Sequence, residues 1–162
     1  MRVSEVIRQA DELRPNTITD ERKAAWVESL DLRIEDMMLN IRGVEEAVRN
    51  YSRGIFDKRI LSCLVQEGII TTTDYRNITN AQDDEDIVSA ERTKYPAEDV
   101  KLLLPDPYAE TYVLFLIAKI DFYNQETELY MNDKAAYSTA LAEAEAWWRR
   151  ENRARASKGW VV

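Results

Sequence analysis

The chain has 162 residues, 45% of them apolar and 32% charged, with a formal net charge of −8, no histidine and one cysteine. That length fits one domain able to bury roughly two-thirds of the surface its unfolded chain exposes. The acidic balance argues against a surface given over to nucleic acid. The missing histidine removes the commonest general base, the Ser-His and Cys-His nucleophile pairs and most transition-metal sites.

Four glycines and four prolines are too few for a β-sandwich or a Gly-rich nucleotide fold, so the balance favours helices. Val3, Val6, Ile7, Ala10 and Leu13 recur at helical spacing and predict a short amphipathic helix over Val3–Leu13, stopped by Pro15. Thr19 or Asp20 suits the N-cap of a second helix. Its stripe is Trp26, Val27, Leu30, Ile34, Met37, Met38 and Ile41, and Gly43 lies just past its end. In the next stretch, Ile60, Leu61, Leu64 and Val65 suggest a short helix ended by Gly68. The run Ile69-Ile70-Thr71-Thr72-Thr73 is β-branched and reads as a strand. A small hairpin or extended arm is therefore expected within about 44–100, with a polar, acidic loop over Asn80–Asp99.

The C-terminal half is more regular. Leu102-Leu103-Leu104 leads into Pro105-Asp106-Pro107, a rigid turn with Asp106 placed to cap and Pro107 at the first helical position. The helix from Pro107 to about Asn124 carries Tyr108, Tyr112, Val113, Phe115, Leu116, Ile117, Ile120, Phe122 and Tyr123, and is expected to centre the core. Tyr130, Lys134, Tyr137, Leu141, Ala144 and Trp148 then form a seam stepping by four and three on a last helix. The fold class that follows is mainly α: a small bundle of three to four helices over 1–150, with an inserted β-hairpin or extended arm, then a C-terminal tail over 151–162.

Little in the sequence points to chemistry. Cys63, with only Lys58 and Arg59 nearby to lower its pKa, reads as a small buried hydrophobe. Gly43, Gly54 and Gly68 are isolated and make no phosphate loop. Asp83-Asp84-Glu85-Asp86 lacks the alternating ligands and central glycine of a calcium loop, and reads as a solvated acidic run. Glu35-Asp36 and Glu45-Glu46 read as exposed helix charges. No catalytic residue, cofactor or metal is expected. Trp147 and Trp148 sit about 100° apart on a helix, so one belongs to the core and the other is left for a partner surface.

Charge is segregated along the chain. Between Asp83 and Asp99 seven acids face two bases, whereas Arg149, Arg150, Arg153, Arg155 and Lys158 face only Glu151. The end, Trp160-Val161-Val162, is unusually apolar. A basic stretch with an apolar tip suits docking in a groove on another protein. It also suits a disordered terminus, nucleic acid or a membrane surface. Met1–Ala10 has no apolar h-region, and Tyr112–Ile120 is too short to span a bilayer. A soluble protein made in the cytoplasm is expected.

Two stretches carry a resemblance to a known family. One is LLLPDPYAETYVLFLIAKIDFYNQETELYMNDKAAYSTALAEAEAWWRREN, from Leu102, with its Pro-acid-Pro-Tyr turn, its Ile120-Asp121 pair and its terminal Trp147-Trp148. The other is VSEVIRQADELRPNTITDERKAAWVESLDLRI, from Val3. Both resemble the head–tail connector (adaptor, head-completion) proteins of tailed bacteriophages. The resemblance covers about half the chain and leaves Arg42–Val100 unmatched.

The resemblance implies a helical virion subunit that forms a homo-oligomeric ring, commonly a dodecamer, in the neck beneath the portal protein. There it would extend the DNA channel without sequence-specific contact and dock the next neck or tail-completion protein. On that basis Arg149, Arg150, Arg153, Arg155, Lys158, Trp160, Val161 and Val162 are the expected portal-docking set. Asp83, Asp84, Glu85, Asp86 and Trp147 are the expected subunit or tail-side interface. No membrane contact is expected. The alternative is a DNA-packaging factor that binds DNA through its basic tail, although no helix-turn-helix with a basic recognition helix is visible.

Overall fold

The computed structural model describes residues 1–80 and 87–152. Among them are seven α-helices and no strand: α1 Val3–Leu13, α2 Asp20–Leu39, α3 Val44–Ser52, α4 Lys58–Gln66, α5 Thr72–Thr79, α6 Glu110–Tyr123 and α7 Thr127–Glu151. The mainly helical class stands, with more helices than the three to four expected.

Local chemistry accounts for the helix boundaries. Thr19 Oγ1 accepts the Arg22 N–H at 3.3 Å and starts α2. Asp57 accepts the Ile60 N–H at 2.9 Å and starts α4. Such caps are worth about 1 kcal/mol each.

The short helix expected on Ile60, Leu61, Leu64 and Val65 is α4, whereas the expected β-hairpin is absent among the described residues and α3 and α5 stand on either side of α4. The hairpin's strand signal was the β-branched run 69–73, and the chain resolves that run differently. Gly68, at φ +74°, closes α4, with the Ile69 N–H returning to Leu64 O at 2.9 Å. Ile70 is buried as an anchor. Thr71 then opens α5 through a capping box: its hydroxyl accepts from Asp74 N at 3.1 Å, and Asp74 Oδ2 accepts from Thr71 N at 2.8 Å. Phe56, Ile60, Leu61, Leu64, Ile70 and Tyr75 all join the common hydrophobic core.

The loop expectation over Asn80–Asp99 agrees with the irregular path of 87–99. That segment, with a turn at 95–97, and the residues that follow it are tied down at several points. Ser62 Oγ donates to Val88 O at 2.7 Å, and Leu102 N donates to Met1 O at 2.9 Å. Arg2 and Lys101 form an isolated antiparallel bridge, so the N-terminus is stitched beside the strand-like 99–102.

Pro105-Asp106-Pro107 does turn the chain, but Asp106 caps nothing and is almost fully exposed. A single 3-10 turn, Asp106–Tyr108, precedes α6. Helices α6 and α7 form a hairpin through Asn124-Gln125-Glu126, with Gln125 at φ +60°. Leu116, Ile120 and Tyr112 of α6 are buried against α1, α2 and α7.

Candidate functional site

The few charged side chains that are buried, Lys23, Asp31, Glu35, Glu46 and Asp121, each have an ion-pair or hydrogen-bond partner. Asp31 of α2 is fully buried. Its Oδ1 accepts the Leu103 N–H at 3.0 Å and the Tyr112 hydroxyl, while its Oδ2 meets the Arg92 guanidinium. The Tyr112 hydroxyl in turn accepts from Leu104 N at 3.1 Å. Burial, and then the Asp31 carboxylate, hold the Tyr112 phenol well above its usual pKa.

One turn along, Glu35 pairs with Arg59 at 3.1 Å and lies 3.4 Å from Arg92 Nε, without the alignment of a hydrogen bond. Cys63 donates to Glu35 at 3.5 Å. Burial, and then the Glu35 charge, push its thiol up to about 11, so it stays protonated and unreactive at neutral pH. This network fastens the 87–104 segment and α4 to α2. Glu35 and Glu46, expected as exposed helix charges, are both buried. Glu46 accepts the Arg42 N–H at 2.8 Å at the start of α3. Among the described residues no cluster of three or more cysteine or carboxylate side chains is arranged to hold a metal ion.

The outer face of the α6–α7 hairpin is different. On α6, Phe115, Lys119 and Phe122 stand at i, i+4 and i+7. On α7, Tyr130, Lys134 and Tyr137 repeat the same order. Because the helices run antiparallel, the triplets meet head to tail. Phe115 pairs with Tyr137 at 5.2 Å between ring centroids, and Phe122 with Tyr130 at 5.3 Å. Between the two ring pairs lies a cleft of about 250 Å³, floored by Ala118 and lined by both lysines. Lys119 Nζ lies over the Phe115 ring and Lys134 Nζ over the Tyr130 ring, each at 5.6 Å.

The hairpin tip beyond the cleft is apolar and open. Phe122 is 66% exposed and Met131 64% exposed, with Tyr123 and Leu129 also exposed nearby in the chain. This corrects the expectation that Phe122 and Tyr123 belong to the core. Phe115 is only partly buried, at the cleft wall. Inside the tip, Asp121 is buried, receives Arg14 Nε at 3.0 Å, and lies beside Asp133, which also holds Arg14 at 2.9 Å. Burial, and then the neighbouring Asp133, raise the Asp121 carboxyl to about 6.

At the far end of α7, Trp148 is buried against Phe56, 5.8 Å between centroids. Trp147 is half-buried and stacks on Tyr108 at 5.2 Å. The tryptophans divide as expected: one is core, and the other is partly open on a surface it shares with Tyr108. Asn152 caps the helix and is clamped by Arg49 and Asn50 of α3 at 3.2 and 2.9 Å. A groove of about 660 Å³ opens beside it, lined by Arg33, Asp36, Arg42, Glu145, Trp148 and Arg149 among others.

Arg149 and Arg150 of the expected portal-docking set are exposed there. Arg153, Arg155, Lys158, Trp160, Val161 and Val162, with Asp83, Asp84, Glu85 and Asp86 of the second set, lie outside the described residues. The lysine–aromatic cleft was missed at the sequence level, because Phe115 and Tyr137 were assigned to core stripes. The matched aromatic-Lys-aromatic spacing was its available signal. Among the described residues no helix is long and apolar enough to cross a membrane. No protein-family model, curated protein or solved structure matches the chain.

Proposed function

We propose that this chain is a structural subunit of a tailed-phage neck: a head–tail connector that assembles as a ring beneath the portal, extends the DNA channel and docks the next neck or tail protein. It works by assembly rather than by catalysis. It is made in the bacterial cytoplasm and ends in the virion.

One observation carries this reading. The polar chemistry of the interior is consumed in holding the fold, while α7 presents unlike surfaces at its two ends. One end has the lysine–aromatic cleft and the apolar hairpin tip. The other has exposed arginines beside a groove. Between Tyr137 at the edge of the cleft and Glu145 at the edge of the groove the helix rises about 12 Å, so the two surfaces are distinct. A head-to-tail ring needs two different, complementary faces on each subunit. The family resemblance supports the same reading.

The test is to image the purified protein by negative stain, then add it to DNA-filled heads that carry a portal and lack a neck. Closed rings and stable attachment to the portal vertex are expected. A protein that stays monomeric and never joins such heads overturns the proposal.

A further inference from the structure

We infer that the lysine–aromatic cleft of α6 and α7 is the receptor for the acidic connection of a second copy of this chain, the stretch that carries Asp83, Asp84, Glu85, Asp86 and the exposed Val88. The inference rests on the ring reading and names the contact that would close the ring.

The cleft itself asks for an anion. Two ammonium groups line one small cavity, where like charges repel. Neither has a carboxylate within ion-pair distance among the described residues; each is held only by a ring face. At exposed sites that contact is worth about 0.5–1 kcal/mol, a weak hold that leaves both groups free to turn toward a partner. Their helical neighbours at i±3 and i±4 are Phe115, Leu116, Phe122 and Tyr123 for Lys119, and Tyr130, Met131, Tyr137 and Ser138 for Lys134. No acid is among them. In a chain of net charge −8, an acid-free patch with two free cations is a local inversion.

The walls ask for apolar content as well. Four rings and Ala118 line the cavity, so a purely polar anion would leave them unmatched. The acidic connection offers both properties in the right order. Four consecutive acids, Asp83–Asp86, are followed by Ile87 and Val88. Val88 is 40% exposed, with its carbonyl fixed by Ser62 of α4.

That anchor also argues for a second copy. The acidic stretch is tethered on α4 and α5, which pack on each other and on α2 and α3. The cleft belongs to the α6–α7 hairpin. One copy therefore carries donor and receptor on different elements, the arrangement a heterologous contact requires.

The test uses two full-length variants. One is Lys119→Glu with Lys134→Glu, which reverses the cleft. The other is Asp83→Lys with Asp84→Lys and Asp86→Lys, which leaves Glu85 the only acid of the run and reverses the sign of the connection. Lys119 and Lys134 are exposed, the three acids lie outside the described residues, and circular dichroism and thermal melting check that each variant is folded. Assembly is read by sedimentation velocity at low and high salt.

Wild type should oligomerise, more strongly at low salt. Each variant alone should need about tenfold or more protein to do so, since like charges now face each other. An equimolar mixture of the two should regain assembly, because each reversed cleft meets a reversed connection. If the mixture is no better than its components, the contact is not between copies and the inference falls. If both variants assemble like wild type and still join heads, the inference falls while the connector reading stands. If charge-sensitive assembly and rescue appear but no species joins heads, the inference stands and the connector reading falls. If wild type remains monomeric, the inference falls. A labelled single-stranded oligothymidylate, followed by anisotropy, tests the other polyanion. Binding lost in the lysine variant while assembly persists would assign the cleft to nucleic acid and overturn the proposal.

Discussion

Asp31 shows how one residue can decide the interior. Its position is apolar by periodicity, since Val27, Asp31, Ile34 and Met38 follow one helical stripe. A carboxylate there is tolerated because Arg92, the Leu103 N–H and the Tyr112 hydroxyl surround it. Truncating it takes the closer of two carboxylates from Arg92, leaving only Glu35 at 3.4 Å, and strips the Leu103 N–H and the Tyr112 hydroxyl of their acceptor. Asp31→Ala should cost about 3–5 kcal/mol, as for other buried pairs broken on one side.

Tyr112→Phe is the gentler probe. It removes one donor to Asp31 and the acceptor of the Leu104 N–H, and should cost about 1–3 kcal/mol. Urea unfolding with an unchanged slope is the measurement, and a loss below about 0.5 kcal/mol would show that these groups find other partners.

Asp121 gives a prediction in pH. Its carboxyl is raised in the folded chain to about 6, against about 3.9 when unfolded. The folded state therefore binds the extra proton between those values. The associated stability is full below the unfolded pKa and is lost as pH rises through the folded one. Relative to Asp121→Asn, which does not titrate, wild type should gain melting temperature as pH falls from 7 to 5. A difference that is flat with pH, or that moves the other way, would mean that Arg14 holds Asp121 ionised throughout.

Helices α1, α2 and most of α6 and α7 were legible because long amphipathic periods and proline or glycine stops agree there. Val3–Leu13 emerges with the predicted bounds. The region 44–79 was harder because its helices are only eight or nine residues long. In such short elements, β-branched content competes with capping chemistry. Thr71-x-x-Asp74 is the sequence form of a capping box, and it outweighs the propensity of Thr72 and Thr73. Glu35 was misread for a related reason. Its partners Arg59 and Arg92 are 24 and 57 positions away in sequence, so only the tertiary fold reveals that it is paired.

Helix α6 was expected to be central throughout. The structure splits it into a buried face and the open cleft wall. Leu116→Ala should therefore cost about 2–5 kcal/mol. Phe115→Ala should fall clearly below the roughly 3–5 kcal/mol of a fully buried Phe. Chemical denaturation of both variants checks the split, and equal losses would place Phe115 in the core after all.

At the scale of the whole molecule, the C-terminal residues beyond Asn152 carry Arg153, Arg155, Lys158 and the apolar Trp160-Val161-Val162. Their point of departure is fixed. Asn152 caps α7 and is clamped to α3, and Arg53 pairs with Glu151 beside it. The end of the helix is therefore held by contacts among the described residues. Among the described residues, Trp148 is the last side chain of the core. Removing 153–162 deletes three cations and the apolar Trp160-Val161-Val162, none of which belongs to the described core. Exposed charges contribute only about 0–1 kcal/mol to stability, so the truncated chain should melt within a degree or two of the full one. Under the ring reading, the cleft and the acidic connection are untouched, so self-assembly should also persist. The connector reading assigns these residues to the portal, where the arginines would meet carboxylates and the apolar tip would enter a groove. The truncated protein should accordingly assemble normally, yet fail to co-sediment with portal-bearing, DNA-filled heads. Attachment at wild-type affinity would move the docking role to Arg149, Arg150 and the groove beside them. Loss of assembly with the fold intact would instead make the tail a contact between neighbouring subunits.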